Sequence, residues 1–156
     1  MGKRILDAEY RALAELRYRI RRFVQEGDAS ARAAGLEPQQ YLLLLAARGL
    51  PTGTQASIRT LAERLSLQHH STVELVDRME EHGFVRRERS RRDRRQVLVH
   101  LQSKGEKLLE RVAEKRIVEL RANGRALVAA ISALLDSRRN GPSKTLTVRR
   151  KKHSKR

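Results

Sequence analysis

The sequence predicts a mainly α-helical chain carrying one small β-hairpin, and three observations support that. Apolar residues recur at helical spacing through most of the first 136 positions, aromatic residues make up only 3% of the composition, and one short β-rich stretch surrounds Arg91-Arg92-Asp93-Arg94-Arg95. A chain of 156 residues is one domain's worth, long enough for a modest core.

The stretch from Ser57 to Leu101 organises the rest. Ser57 suits a helix N-cap, and Ile58, Leu61, Ala62 and Leu65 then recur on one helical face. After a turn at Ser66-Leu67-Gln68, a second helix directs Val73, Val76 and Met79 inward with Leu75 beside them, and turns His70, Glu74, Arg78 and Glu81 outward. Gly83 closes it, because glycine adopts the left-handed conformation at low cost. Phe84 to Arg89 and Gln96 to Leu101 are β-rich, the second alternating Val97, Val99 and Leu101, and they are expected to pair across the arginine tip. Helix, turn, helix and ribbon in this order predict a winged helix-turn-helix. Seven arginines lie between Arg86 and Arg95 against Glu88 and Asp93. So short a ribbon cannot bury that charge, which is expected to face water or, better, the phosphates of a polyanion.

The runs Ile58-Arg59-Thr60-Leu61-Ala62-Glu63-Arg64-Leu65, His70 through Val85, Asp93-Arg94-Arg95-Gln96-Val97-Leu98-Val99 and Ser103-Lys104-Gly105 together resemble the MarR family of bacterial transcriptional regulators. A helix-turn-helix pattern alone is weak evidence, but a glycine-closed helix followed by this wing and Lys-Gly in the same order is specific. The resemblance extends to about Asp136. It implies a two-fold homodimer on double-stranded DNA, two recognition helices in successive major grooves, and repression relieved by a small aromatic effector. It also makes Asp93 a brace for the tip arginine Arg95.

Composition agrees. The formal net charge of +17 exceeds what solubility requires and calls for an anionic partner, leaving nucleic acid and an anionic membrane open on charge alone. The absence of cysteine excludes disulfides, thiolate metal ligands and a cysteine-based peroxide sensor of the kind some MarR relatives use. No apolar run approaches the roughly 18 residues a membrane span needs, so a cytoplasmic, nucleoid-associated protein is expected.

In chain order, a long amphipathic helix is expected from near Leu6, with Tyr10, Leu13, Leu16 or Arg17, Ile20, Phe23 and Val24 on one side. Gly27-Asp28 is a point of bending or interruption, and Gly35 a terminator. A second helix has Pro38 in its first turn and, through Tyr41 to Ala47, is apolar nearly all round, predicting full burial. After the wing, Ser103 and Glu106 form the S-x-x-E pattern of a capping box. A helix with Leu108, Leu109, Val112, Arg116 and Leu120 on one face then runs to a break at Asn123-Gly124, and a further helix covers Arg125 to Asp136. The expected organisation is a single unit over 1–136, with the winged helix at about 38–101 and dimerisation helices at about 5–35 and 103–136. The apolar stripes left over on the terminal helices suit a second copy of the chain, although such stripes can also close on themselves as a bundle.

Residues 137–156 hold nine basic residues and no acidic ones, from Arg138 to Arg156, which is more than half of the net charge. A segment so poor in apolar residues is expected to be disordered, either riding on DNA phosphates or remaining a solvated charge run.

The candidate DNA-binding residues are Gln68, His69, His70, Ser71 and Thr72 in the first turn of the recognition helix, Glu74 and Arg78 on its outer face, and Arg92, Asp93, Arg94 and Arg95 at the tip. His70 suits guanine and Thr72 a thymine methyl, whereas solvation alone accounts equally for Arg91 and Arg92. Arg17, Tyr18, Tyr41 and His82 are candidates for lining an effector pocket. His70 and Glu74 share a face with His69 nearby, but two ligands on a surface meant for DNA do not make a metal site, and no cofactor is expected. With no cysteine nucleophile, Gly-rich phosphate loop or paired carboxylates in an apolar setting, the chain is not expected to be an enzyme. Two other classes remain: an architectural protein binding DNA without sequence preference, and a protein-interaction module using the winged helix as scaffold.

Overall fold

The computed structural model describes residues 5–136, in the order α1 (Asp7–Ala33), α2 (Pro38–Arg48), α3 (Ile58–Leu65), α4 (His69–Glu81), β1 (Val85–Arg89), β2 (Val97–Leu101) and α5 (Ser103–Asp136). The expectation for the basic tail lies outside the described residues. The chain divides into two compact units, Arg21–Gly124 and a smaller one formed by 5–20 with 125–136. Among the described residues no helix is long and apolar enough to cross a membrane.

In the larger unit, local chemistry sets the helix limits. Glu37 precedes Pro38, whose missing N–H costs nothing at a first helical position, and the Glu37 N–H is bound by the Gln40 side chain at 3.0 Å. Ser57 caps α3 by accepting the Thr60 N–H at 3.1 Å. Gly83, at φ 72°, turns the chain from α4 into β1. The left-handed turn after α3 is made by Ser66 at φ 55°, a non-glycine in that region.

One core joins α2, α3, α4, the hairpin and the adjoining parts of α1 and α5. Leu36, Leu43, Leu44, Leu61, Leu75, Val76, Met79, Val85 and Val112 are the largest of its fully buried members. Leu75 lies deeper than Val73, reversing the order the helical spacing suggested. The hairpin is antiparallel, Val85 opposite Leu101 and Arg87 opposite Val99. It is tied to the helix-turn-helix where the Val99 N–H donates to the Ala56 carbonyl at 2.8 Å and Ser57 bridges to Leu98.

Four expectations need correction. Both α1 and α5 are uninterrupted, running through Gly27-Asp28 and Asn123-Gly124 respectively. A helical glycine weakens a helix by only about 1 kcal/mol, too little to break helices of 27 and 34 residues. Gly27 is buried with the Arg116 guanidinium nearby, so a small residue is seated there rather than a hinge. The Ser103 capping box does not form as expected, because Gln102 is the residue whose carbonyl accepts the first helical bond, from Glu106. Finally, α2 is not buried all round: Tyr41, Leu43 and Leu44 are covered, whereas Leu42 and Leu45 are 46% and 41% exposed.

Candidate nucleic-acid interface

The outer face of α4 displays His69, His70, Glu74 and Arg78, with Gln68 at the N-cap position; His70 and its neighbours Gln68 and His69 are exposed. Thr72 does not join them. It is fully buried, its N–H donating to the Gln68 carbonyl at 3.0 Å and its hydroxyl to the same oxygen at 3.1 Å, so it shapes the first helical turn and cannot reach a base. Ser71 is half-buried. Helical spacing did not separate Thr72 from His70, because which polar residue faces inward depends on the elements packed against the helix.

The wing tip is held by backbone bonds. Ser90, 2% exposed, donates its N–H to the Gln96 carbonyl at 3.0 Å, and its hydroxyl accepts the N–H groups of Arg92 and Asp93 at 3.3 and 3.4 Å. The Asp93 carboxylate accepts the Arg95 N–H at 3.0 Å. Asp93 therefore braces the backbone of the turn, and the side chains of Arg91, Arg92, Arg94 and Arg95 stand exposed. Ser90 went unnoticed in the sequence, although a serine two and three residues before the N–H groups it accepts is an ordinary turn signal.

Two of the seven arginines are neutralised within the chain. Arg86 pairs with Glu88 at 2.9 Å. Arg87 is held by the Asp77 and Glu80 carboxylates of α4. Glu80 accepts both the Arg87 N–H and its Nε, each at 2.8 Å, and these bonds hold its carboxyl below the usual range, the backbone bond contributing most. Arg86 likewise lowers Glu88. The uncompensated positive charge is therefore concentrated at the tip.

The recognition helix and the tip meet across one cleft of about 480 Å³, lined by Ser57, Ile58 and Arg59 of the α3 start, His69 and Val73 of α4, and Arg87, Asp93, Arg95, Gln96 and Val97 of the hairpin. Arg59 was not among the sequence candidates, yet it brings a further exposed cation to this edge.

Of the effector candidates, Tyr41 is buried, and burial raises its hydroxyl pKa against a smaller lowering by Arg116. The His82 ring is turned to the end of α4, with Nδ1 2.6 Å from the Arg78 carbonyl and the ring stacked on Phe84. Arg17 and Tyr18 belong to the part of α1 in the smaller unit, where Tyr18 is 50% exposed. Among the described residues no group of three or more His, Asp or Glu is placed to hold a metal ion.

Residues 34–96, from the end of α1 to the wing tip, match the profile of the MarR family. That stretch is similar to the winged helix of MarR-family transcriptional regulators. The HTH-type transcriptional regulator YfiV of Bacillus subtilis strain 168 is 28% identical over 123 residues, covering 78% of this chain and 74% of YfiV. AbsC, a MarR-family transcriptional regulator from Streptomyces coelicolor, shares the fold with a TM-score of 0.67 at 20% identity, over 88% of this chain and 93% of AbsC. The repressor CouR, solved bound to a 23-mer DNA duplex, is similar with a TM-score of 0.58 at 26% identity, over 77% of this chain and 89% of CouR. The MarR match ends at Gln96, so β2 and α5 lie beyond it.

Proposed function

We propose that the chain is a homodimeric repressor that binds a short pseudo-palindromic operator in double-stranded DNA and acts by occupying it. The observation that carries this reading is the shared cleft, in which His69 of the MarR-type recognition helix and Arg95 of the wing border one surface with Arg59 beside them. A helix face carrying His69, His70, Glu74 and Arg78 suits the major groove, and an arginine tip suits the narrow, strongly negative minor groove alongside it. The DNA-bound CouR structure supports the reading by similarity.

Dimerisation is assigned to α1 and α5. Tyr10, Leu13, Ile131 and Leu135 in the smaller unit, and Phe23, Val24, Ile117 and Leu120 in the larger, are at least 40% exposed. Apolar area of that extent on two long helices is what a second copy would cover. The effector is assigned as a small aromatic anion. Arg17, Tyr18 and Tyr41 are its candidate lining, whereas the His82 ring is already committed to the Arg78 carbonyl and to Phe84.

The test is the affinity for duplex from upstream of the chain's own gene relative to random duplex at physiological salt. A ratio of about 10³ or more is expected of a regulator. A ratio near unity would favour the architectural reading, for which the basic residues of 137–156 are the argument. Truncation after Asp136 is expected to lower the slope of log K against log[salt] by about 0.9 for each phosphate that the shortened chain no longer neutralises, leaving the ratio within a few-fold.

A further inference from the structure

We propose that Arg87 is a positioning residue that fixes the wing to the recognition helix, making the two a single reading surface; this rests on the DNA-binding reading above. Of the seven arginines between Arg86 and Arg95, Arg87 is the one that two carboxylates of another element hold. Its Nε and Nη2 face Glu80 at 2.8 Å, its Nη1 pairs with Asp77, and its own N–H donates to Glu80 at 2.8 Å. Asp77 and Glu80 are three residues apart and so lie on one face of α4, where the planar guanidinium can span both.

This tie complements the one on the other strand. The strand β2 is joined to the helix-turn-helix through Val99 and Ala56, and β1 is joined to α4 through Arg87. With both strands held, the tip cannot pivot about β2 independently of α4. The strength required is geometric rather than thermodynamic. The three side chains are 39%, 44% and 33% exposed, and ion pairs so wet add little to global stability, so the fold survives their loss. The same contacts neutralise two carboxylates on the helix that approaches DNA, where free acids would repel phosphate. Arg87 therefore acts through Asp77 and Glu80 and leaves phosphate to Arg91, Arg92, Arg94 and Arg95.

The experiment uses the full chain and duplexes that the native protein selects from a random pool. Arg87→Ala and Arg87→Lys are each expected to lower affinity for the selected duplex by about tenfold or more, since a lysine keeps the charge but cannot fork across two carboxylates. In the Lys variant the salt slope should match the native one. The Arg87→Ala/Asp77→Asn/Glu80→Gln variant, which removes the free carboxylates as well, should remain as weak as Arg87→Ala. Adding Arg95→Ala to Arg87→Ala should weaken binding by less than about twofold, because a loosened tip no longer makes the contact that Arg95 supplies. Full rescue by lysine would make Arg87 a plain phosphate contact and overturn the proposal. Native affinity in the triple variant would reduce its role to cancelling charge, and an undiminished Arg95 effect in the Arg87→Ala background would show the wing seated without the tie. If the native chain selects no duplex at all, the DNA-binding reading fails instead.

Discussion

The backbone carbonyl of Phe84 occupies the place that a Cβ on Gly105 would need. The overlap is with backbone, and the Leu44 side chain closes the same space at 3.2 Å, so nothing flexible can move aside. Gly105 in the first turn of α5 lets that helix start directly against the strand entry of the wing.

Gly105→Ala is therefore expected to destabilise the fold by about 1–3 kcal/mol or more, the range for overpacking a closed site. Gly124→Ala on the same helix should have the opposite sign. Its Cβ would meet only the Leu120 side chain, at 3.9 Å, and alanine strengthens a helix by about 0.5–1 kcal/mol over glycine. Urea unfolding of both variants checks the pair, and equal effects would contradict the packing argument.

Arg116 is 5% exposed, its guanidinium 4.7 Å from the centre of the Phe23 ring, bonded to the Phe23 carbonyl at 2.9 Å and paired with Glu119. Arg116→Ala would leave that carbonyl without its donor and open space beside Gly27, at an expected cost of about 1–3 kcal/mol. Arg116→Met restores the volume and should recover part of it. A chain that loses nothing in either variant would show that α1 and α5 do not depend on this residue.

Glu80 has a carboxyl lowered in the folded state, so its bonds to Arg87 contribute stability above its ordinary value of 4.5 and lose that contribution as the pH falls below 4.5 through the folded value. The effect is small because the group is well hydrated. Thermal unfolding of the native chain and Glu80→Gln should differ at neutral pH and converge in acid. Curves that stay parallel throughout would exclude Glu80 from the acid limb.

On the proposed function, Arg95→Ala should weaken specific binding by about 1–3 kcal/mol, the range for a good specific contact, and leave the proposed dimer intact. His70→Ala should change the preferred base at one position of each half-site. Thr72→Val should leave base preference untouched while lowering stability, because the hydroxyl it removes bonds to the Gln68 carbonyl inside the protein. Selection of preferred duplexes by the three variants checks this, and a changed preference in the valine variant would put Thr72 back among the base contacts.

The order of elements was legible in the sequence because each boundary is set by chemistry within a few residues. Ser57 caps its own helix, Pro38 sits where an N–H is not needed, Gly83 takes the positive φ that ends α4, and the alternation from Val97 to Leu101 needs no distant partner to be read as a strand. The MarR resemblance followed from that order, and the profile match over residues 34–96 agrees with it. What sequence alone misplaced depended on the far side of a contact. Thr72 and His70 are equally polar, and only the packing of α4 decides that one is buried and the other exposed. Gly27 and Gly124 look like breaks, yet each lies inside an uninterrupted helix, because one glycine costs a long helix only about 1 kcal/mol. Seven arginines look like one cationic ribbon until α4 brings Asp77 and Glu80 to Arg87, residues ten and seven positions distant that no local pattern links. Local backbone chemistry thus determined which elements form, whereas charge compensation and burial, which depend on residues brought together from separate elements, were decided by the tertiary structure.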